Sequence, residues 1–373
     1  MTVLKTDLKL LFTGNRIDVS GDIAPDLLSF AYTDKETDEA DEISITLKDP
    51  DGKWASTWKP DGGELVDATI ITGQTDAVGN IINLLTGEAN ANSLHCGTFH
   101  VDSIRTSGSP RVMEMKGVSI PLDTPIRKKL KTKAWEKTNL KSISEIIAKD
   151  NGVGLLWDCQ ENPEFDRCDQ KRETDLKFLA RLCKDNGISI KVTDKQIVIF
   201  DQASYEKKPP IKTFTLRQSP ITHWDFESQQ SETYKSVTVS YRDPRKKTRG
   251  SAASHKTKSN AKATAGKNPA VHEYTYTDPT ADANGQEYNL KKRATSIAEA
   301  ERLAKAKLRE LNCRRVTGSM TVIGDPQLVA GVVITCAGFG SFDGAFIIAE
   351  ATHTVGTGGY TTNVKLRRVN TEY

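Results

Sequence analysis

The sequence predicts a mainly β protein, with a β domain of barrel or sandwich type at each end and a small α+β unit inserted between them. Three observations carry that reading. Short apolar or alternating runs, set apart by turn residues, recur over the first hundred residues and again from Ile221 onward. Helical periodicity is confined to a few stretches, two of them together in the middle of the chain. At 373 residues, 37% hydrophobic and 27% charged, the chain has material for two or three separately cored domains.

The first β-barrel domain is expected over residues 1–124. KLLFTGNRIDV, LLSFAYT, EISITLKD, LVDATIITG, GTFHVDSIRT and VMEMKGVSI read as its strands, with Asn15, Asp51-Gly52 and Gly62-Gly63 supplying turns. After Pro125 the period changes, and residues 125–215 read as the α+β insert. Leu140, Ile143, Ile146 and Ile147 recur at helical spacing, and Gly152 stands where a left-handed stop belongs. A second helix carries Leu176, Leu179, Leu182 and Cys183 on one stripe, with Thr174 as N-cap and Gly187 as its end. ISIKV and QIVIF then form a hairpin about Thr193-Asp194-Lys195. The second barrel is expected over residues 216–373. SVTVSY alternates cleanly, 244–270 reads as a basic, flexible loop, and SIAEAERLAKAKLREL is one helix with Ser296 and Glu299 at capping-box spacing. Strands SMTVIG, GVVITC, AFIIAEATHTV and YTTNVKLRRV follow, punctuated by Gly344, Gly356, Gly358 and Gly359.

Composition excludes several function classes. No run nears the roughly 18 apolar residues that cross a bilayer, so no membrane insertion is expected. The start, MTVLKTDLKLLFTG, lacks a secretory pattern, which places folding in the cytoplasm. Six cysteines without a C-x-x-C pair read as reduced thiols. The net charge is only +3, but it is unevenly spread. Residues 22–67 hold 13 acids and 4 bases, 127–149 hold 8 bases and 2 acids, and 244–268 hold 8 bases and no acid. Opposed patches of this kind can fix register between subunits.

Candidate chemistry is sparse. His95, Cys96 and His100 lie in a strand, where residues five apart face opposite sides, so no metal site is expected. Asp158, Glu161, Glu164, Asp166 and Asp169 surround Pro163 and read as a solvated loop rather than a glycosidase pair. The glycines at 338–344 follow a strand but open no helix to hold a phosphate. The basic loop has no interleaved aromatic to stack on bases, so contact with an acidic neighbour is favoured over nucleic acid. No catalytic residue, cofactor or metal is expected.

Three stretches resemble one family. YTDKETDEADEISITLKDPDGKW at 32–54 runs through an acid-rich loop into a strand ending Asp-Pro-Asp-Gly. QKRETDLKFLARLCKDNGISIKV at 170–192 and GDPQLVAGVVITCAGFGSFDGAFIIAEATHTVGTGGYTTNVKLRR at 324–368 carry the rest, the last with Gly331, His353 and Gly-Tyr-Thr-Thr. They are similar to phage late control D proteins, the hubs of contractile-tail baseplates, and to the hub part of type VI secretion spike proteins. The resemblance implies that both β regions are tube-like β-barrel domains, and that they build a homotrimeric ring adapting a sixfold tail tube to a threefold central spike. Its lumen would pass the tape-measure protein and then DNA without specific binding. It also implies a virion or phage-like particle, assembled in the host bacterial cytoplasm, as the location. Interaction residues proposed on that basis are Lys128, Lys129, Arg245, Lys246, Lys247 and Arg249. A tail-associated peptidoglycan-degrading enzyme and a DNA-binding regulator are the rival readings.

Overall fold

The computed structural model describes residues 6–12, 17–37, 40–60, 62–73, 93–120, 125–193, 196–229, 233–242, 271–278 and 285–369. They fall into two compact units. The larger holds residues up to Cys183, Ile188–Ser228 and those from Val316 on, and the smaller holds Lys184–Gly187 and Gln229–Arg315.

In the larger unit the N-terminal strands are β1 (Thr6–Phe12), β2 (Ile17–Asp18), β3 (Leu27–Lys35), β4 (Glu42–Lys48), β5 (Leu65–Thr72), β6 (Ser93–Ser107) and β7 (Val112–Val118), with a single turn α1 (Ser20–Ile23) after β2. Strand β4 reads EISITLK and β5 reads LVDATIIT, and in both every second side chain is buried. That period of two puts one face of the sheet on a core of Phe30, Ile45, Val66, Ile70, Phe99 and Met113.

The insert follows. It runs α2 (Pro125–Lys128), β8 (Lys131–Asn139), α3 (Leu140–Asp150), β9 (Gly154–Asp158), β10 (Glu164–Glu173), α4 (Asp175–Asp185), β11 (Ser189–Val192), β12 (Gln196–Phe200) and α5 (Gln202–Glu206). Helix α3 begins where Asn139 Oδ1 accepts from Ser142 N at 2.8 Å, and the backbone turns away at Gly152, φ 67°. Helix α4 begins with Lys177 N donating to Thr174 Oγ1. The two helices bury Leu140, Ile143, Ile147, Phe178, Leu179 and Leu182 together. Strands β11 and β12 form the expected hairpin, and β9 adds to β12 in parallel. One expectation is corrected here: Glu164, Asp166 and Asp169 do not lie in a loop. They belong to strand β10, paired antiparallel with β8, and the register sets Arg167 opposite Glu136 and Glu173 opposite Lys131. Arg167 and Glu136 meet across the strands at 3.5 Å on a ribbon that hydrophobic alternation alone does not announce.

After β13 (Lys212–Thr215) and β14 (Ile221–Ser228) the chain enters the smaller unit, with β15 (Tyr234–Arg242), β16 (Val271–Thr277), β17 (Gln286–Ala294) and α6 (Ile297–Asn312). Its sheet runs β16-β15-β17. Val237 and Val239 of β15 pack with Ala300, Leu303, Ala304 and Leu308 of α6. Ser296 caps α6 as expected, its Oγ accepting from Glu299 N, but the Glu299 carboxylate accepts from Thr295 N and Oγ1 rather than from Ser296 N.

The larger unit closes with β18 (Val316–Ile323), β19 (Val333–Ala337), β20 (Gly344–Gly356) and β21 (Gly359–Arg368). These complete a 13-stranded sheet in the order β14-β18-β21-β20-β3-β4-β7-β6-β5-β1-β2, with β13 and β19 joined to it through β20. The long strand β20 pairs with β19 through its first residues and with β3 from Glu350 on, changing register at Ile348/Glu350. The two ends of the sequence therefore share one sheet. A second apolar core, with Phe214, Met320, Ile334, Phe346, Val364 and Leu366, lies beside the later strands. The fold is mainly β with several sheets. The expected tube-like barrels are not closed by any strand pairing among the described residues.

Candidate functional site

The acid-rich segment after Tyr32, which the sequence shows as an acid-rich loop leading into a strand, is partly interior. Strand β3 continues its alternation past its apolar residues and turns Asp34 inward, and Glu36 just beyond it is buried as well. Burying a carboxylate is costly unless a cation and hydrogen bonds meet it. Both are met. Lys191 of β11 lies 2.6 Å from Asp34 Oδ1 and 3.1 Å from Asp41 Oδ1. Ala330 N donates to Asp34 Oδ2, and Lys35 N donates to Asp41 Oδ1. Arg367 of β21 pairs with Glu36 at 2.9 Å and with Glu206 of α5, all three side chains being buried. These two clusters join the N-terminal strands, the insert and the closing strand, segments far apart in sequence.

The spacing of the 170–192 stretch has a similar physical basis. Asp175 is buried at the start of α4 and accepts from Lys131 Nζ at 2.5 Å, Gln170 Nε2 at 2.9 Å and Asn151 Nδ2 at 3.1 Å. Burial works against its charge, but these three donors and the Lys131 charge hold the carboxyl below the usual range. Arg181 pairs with Glu173 at 2.5 Å. His353 is fully buried. Its Nε2 donates to Leu328 O, so Nδ1 accepts, from Tyr360 OH at 2.8 Å and Thr362 Oγ1 at 3.2 Å. Burial pulls its pKa down to about 4. It is a packed, neutral histidine with no free nitrogen to act as a base.

The remaining residues singled out by sequence are not brought together. His95 is exposed and 3.7 Å from Asp67. Asp158 accepts from Tyr205 OH, and Asp169 pairs with Arg167. Among the described residues no three His, Cys, Asp or Glu side chains are grouped to hold a metal. Lys128 and Lys129 are exposed at the end of α2. Arg245, Lys246, Lys247 and Arg249 lie outside the described residues. A half-open apolar recess of about 430 Å³ is lined by Trp54, Trp58, Met113 and Met115 among others.

The surface feature that sequence reading missed is the pair of sheet edges. Among the described residues strand β14 pairs with β18 alone, and most of its residues are exposed, with Trp224 at 43% and neighbouring Ile323 at 51%. At the other end β1 pairs with β2 through Leu11 and Phe12, and Leu10 is held on that side by Ser20 Oγ and Val19 N, so among the described residues Thr6–Lys9 has β5 as its one strand neighbour. Such edges present unpaired backbone donors and acceptors that a further strand can satisfy.

Comparison with known proteins agrees with this geometry. The family described as "Phage tail baseplate hub (GPD)" matches residues 126–359. A probable baseplate hub protein of Escherichia phage 186 is 24% identical over 95% of this chain and 92% of its own. The 43 kDa tail protein of prophage MuSo2 from Shewanella oneidensis is similar in fold, with a TM-score of 0.66, 14% identity and 98% of both chains covered. An E. coli component of the type VI secretion system shares the fold at a TM-score of 0.52 and 13% identity, over 93% of this chain and 75% of that one. With well over half of its length matched by the family, this chain belongs to the phage tail baseplate hubs of the GPD family.

Proposed function

We propose that this baseplate hub is a homotrimeric ring at the centre of a contractile tail, fitting a sixfold tube on one side to a threefold spike on the other. The observation that carries the reading is the pair of open edges on one long sheet. A chain with two different free edges joins copies head to tail, and such contacts close into a ring when the rotation permits. The two apolar β cores, one beside the N-terminal strands and one beside the closing strands, are read as the two tube-like domains, completed by neighbours rather than within one chain. Three chains would then present six quasi-equivalent units to the tube. The tail tube, spike and tape-measure proteins are its partners, and its work is mechanical, with no bond made or broken.

Lys128 and Lys129 are the described basic residues proposed to meet an acidic face. Part of the acidic segment is unavailable for this, because Asp34, Glu36, Asp41 and Asp49 are buried. Exposed Asp22 and Asp51 remain. Replacing both lysines by glutamate is expected to weaken self-association on the order of tenfold and to reverse its salt dependence. Sedimentation at two salt concentrations measures it, and unchanged association would remove these lysines from the interface.

A further inference from the structure

Asp34 and Asp41 share a single cation in a place where water does not compensate. Lys191 meets both carboxylates, while its own side chain is only 21% exposed and theirs are 8%. Among the described residues, the groups that face this cluster from the packed elements bring no balancing charge. Tyr32 on β3 and Cys96 on β6 are held protonated by burial, and His353 on β20 is neutral for the same reason. The Ala330 and Lys35 amides contribute dipoles only, and Ser119 meets the Asp41 backbone, its Oγ accepting from Asp41 N. The Lys35 ammonium is directed to Glu42 at 3.1 Å. Farther along the same strand, Arg367 with Glu36 and Glu206 repeats the ratio of two carboxylates to one cation. With both of its carboxyls ionised, the Lys191 cluster carries one uncompensated negative charge in the interior.

We propose that Asp34, Asp41 and Lys191 form a proton-operated clamp between strand β3 and the α+β insert, tightened when mild acid places one proton on the carboxylate pair and loosened when that proton leaves. Asp41 is the seat of the proton. Asp34 is fixed by Lys191 and the Ala330 amide, whereas burial and then the Asp34 charge, only partly opposed by Lys191, push the Asp41 carboxyl up to about 6. Burial disfavours the Lys191 charge, but Asp34 and Asp41 outweigh it and keep the amine protonated throughout. The sign follows from linkage. The folded state binds this proton more tightly than the unfolded chain, so the group's stabilisation is complete below the unfolded value of 3.8 and is lost as pH rises through about 6. The joint between the insert and the sheet is therefore weaker at neutral pH than at pH 5. This does not depend on the ring proposed above, because all three residues belong to one chain.

The test uses the full chain. Urea unfolding of the wild type and Asp41→Asn is compared at pH 5.0 and 7.5, since the amide keeps an acceptor for Lys35 N but removes the titrating charge. The unfolding constant of the wild type relative to the variant is expected to rise about tenfold from pH 5.0 to 7.5. Carboxyl carbon NMR of the wild type alone is expected to show Asp41 titrating near 6, moving higher in Lys191→Met, and it decides the matter should the Asn variant fail to fold. An Asp41 titration in the ordinary carboxylate range, or a pH-independent difference between wild type and variant, would overturn the proposal.

Discussion

At the residue scale, buried charge fixes the meeting of distant segments more sharply than apolar burial can. Hydrophobic contacts tolerate sliding and repacking, whereas Arg367 has to reach Glu36 and Glu206 together. Arg367→Met is expected to cost about 3–5 kcal/mol in urea unfolding, because it strands two buried carboxylates without a cation. A loss below about 1 kcal/mol would show that the cluster is solvated. His353 gives the opposite pH signature to Asp41. Its folded pKa of about 4 lies below the unfolded 6.5, so the unfolded chain binds the extra proton between those values. Its stabilisation is present above pH 6.5 and is lost as pH falls toward 4. In His353→Gln the acid-side slope of stability against pH is expected to fall by about one proton, as read from denaturant titrations between pH 4 and 7.

At the element scale, the insert shows how local rules build a supporting joint. Asn139 caps α3, and Asn139→Ala is expected to destabilise by about 1 kcal/mol, visible as a lower midpoint in thermal unfolding. Gly187, φ 70°, ends α4, and only glycine takes that conformation without strain. These helices, the 189–200 hairpin and the alternating strands of the N-terminal sheet were legible in the sequence, because their period and caps lie within a few residues of each other. Strand β10 was not legible. EFDRCDQKRE has neither alternation nor β-branched residues, and what makes it a strand is the register with Lys131–Asn139, some thirty residues away. The burial of Asp34, Glu36 and Asp41 was hidden for the same reason, since their cations stand at positions 191 and 367. A run of acids reads as solvated until the fold supplies a distant partner.

At the scale of the whole molecule, the pairing of β3 with β20 matters most. It joins residues about three hundred positions apart, such as Thr33 and Thr352, and makes one sheet that ends, among the described residues, in β14 on one side and in β1 with β2 on the other. The family resemblance was readable because its marks sit on turns and polar pairs: buried Gln170 with Asp175, His353 with Tyr360, and the more exposed Glu173 with Arg181. The edges themselves were not readable, since an edge is defined by what fails to pair with it. An exposed edge of this length on an isolated chain invites aggregation, so a defined partner strand is the economical resolution. The central claim is that copies of the chain satisfy these edges for one another, and multi-angle light scattering of the full chain, alone and with its spike protein, tests it most directly. The account expects three times the 41.1 kDa chain mass, either in the protein alone or once the spike is added. A mass of one chain under both conditions would contradict it.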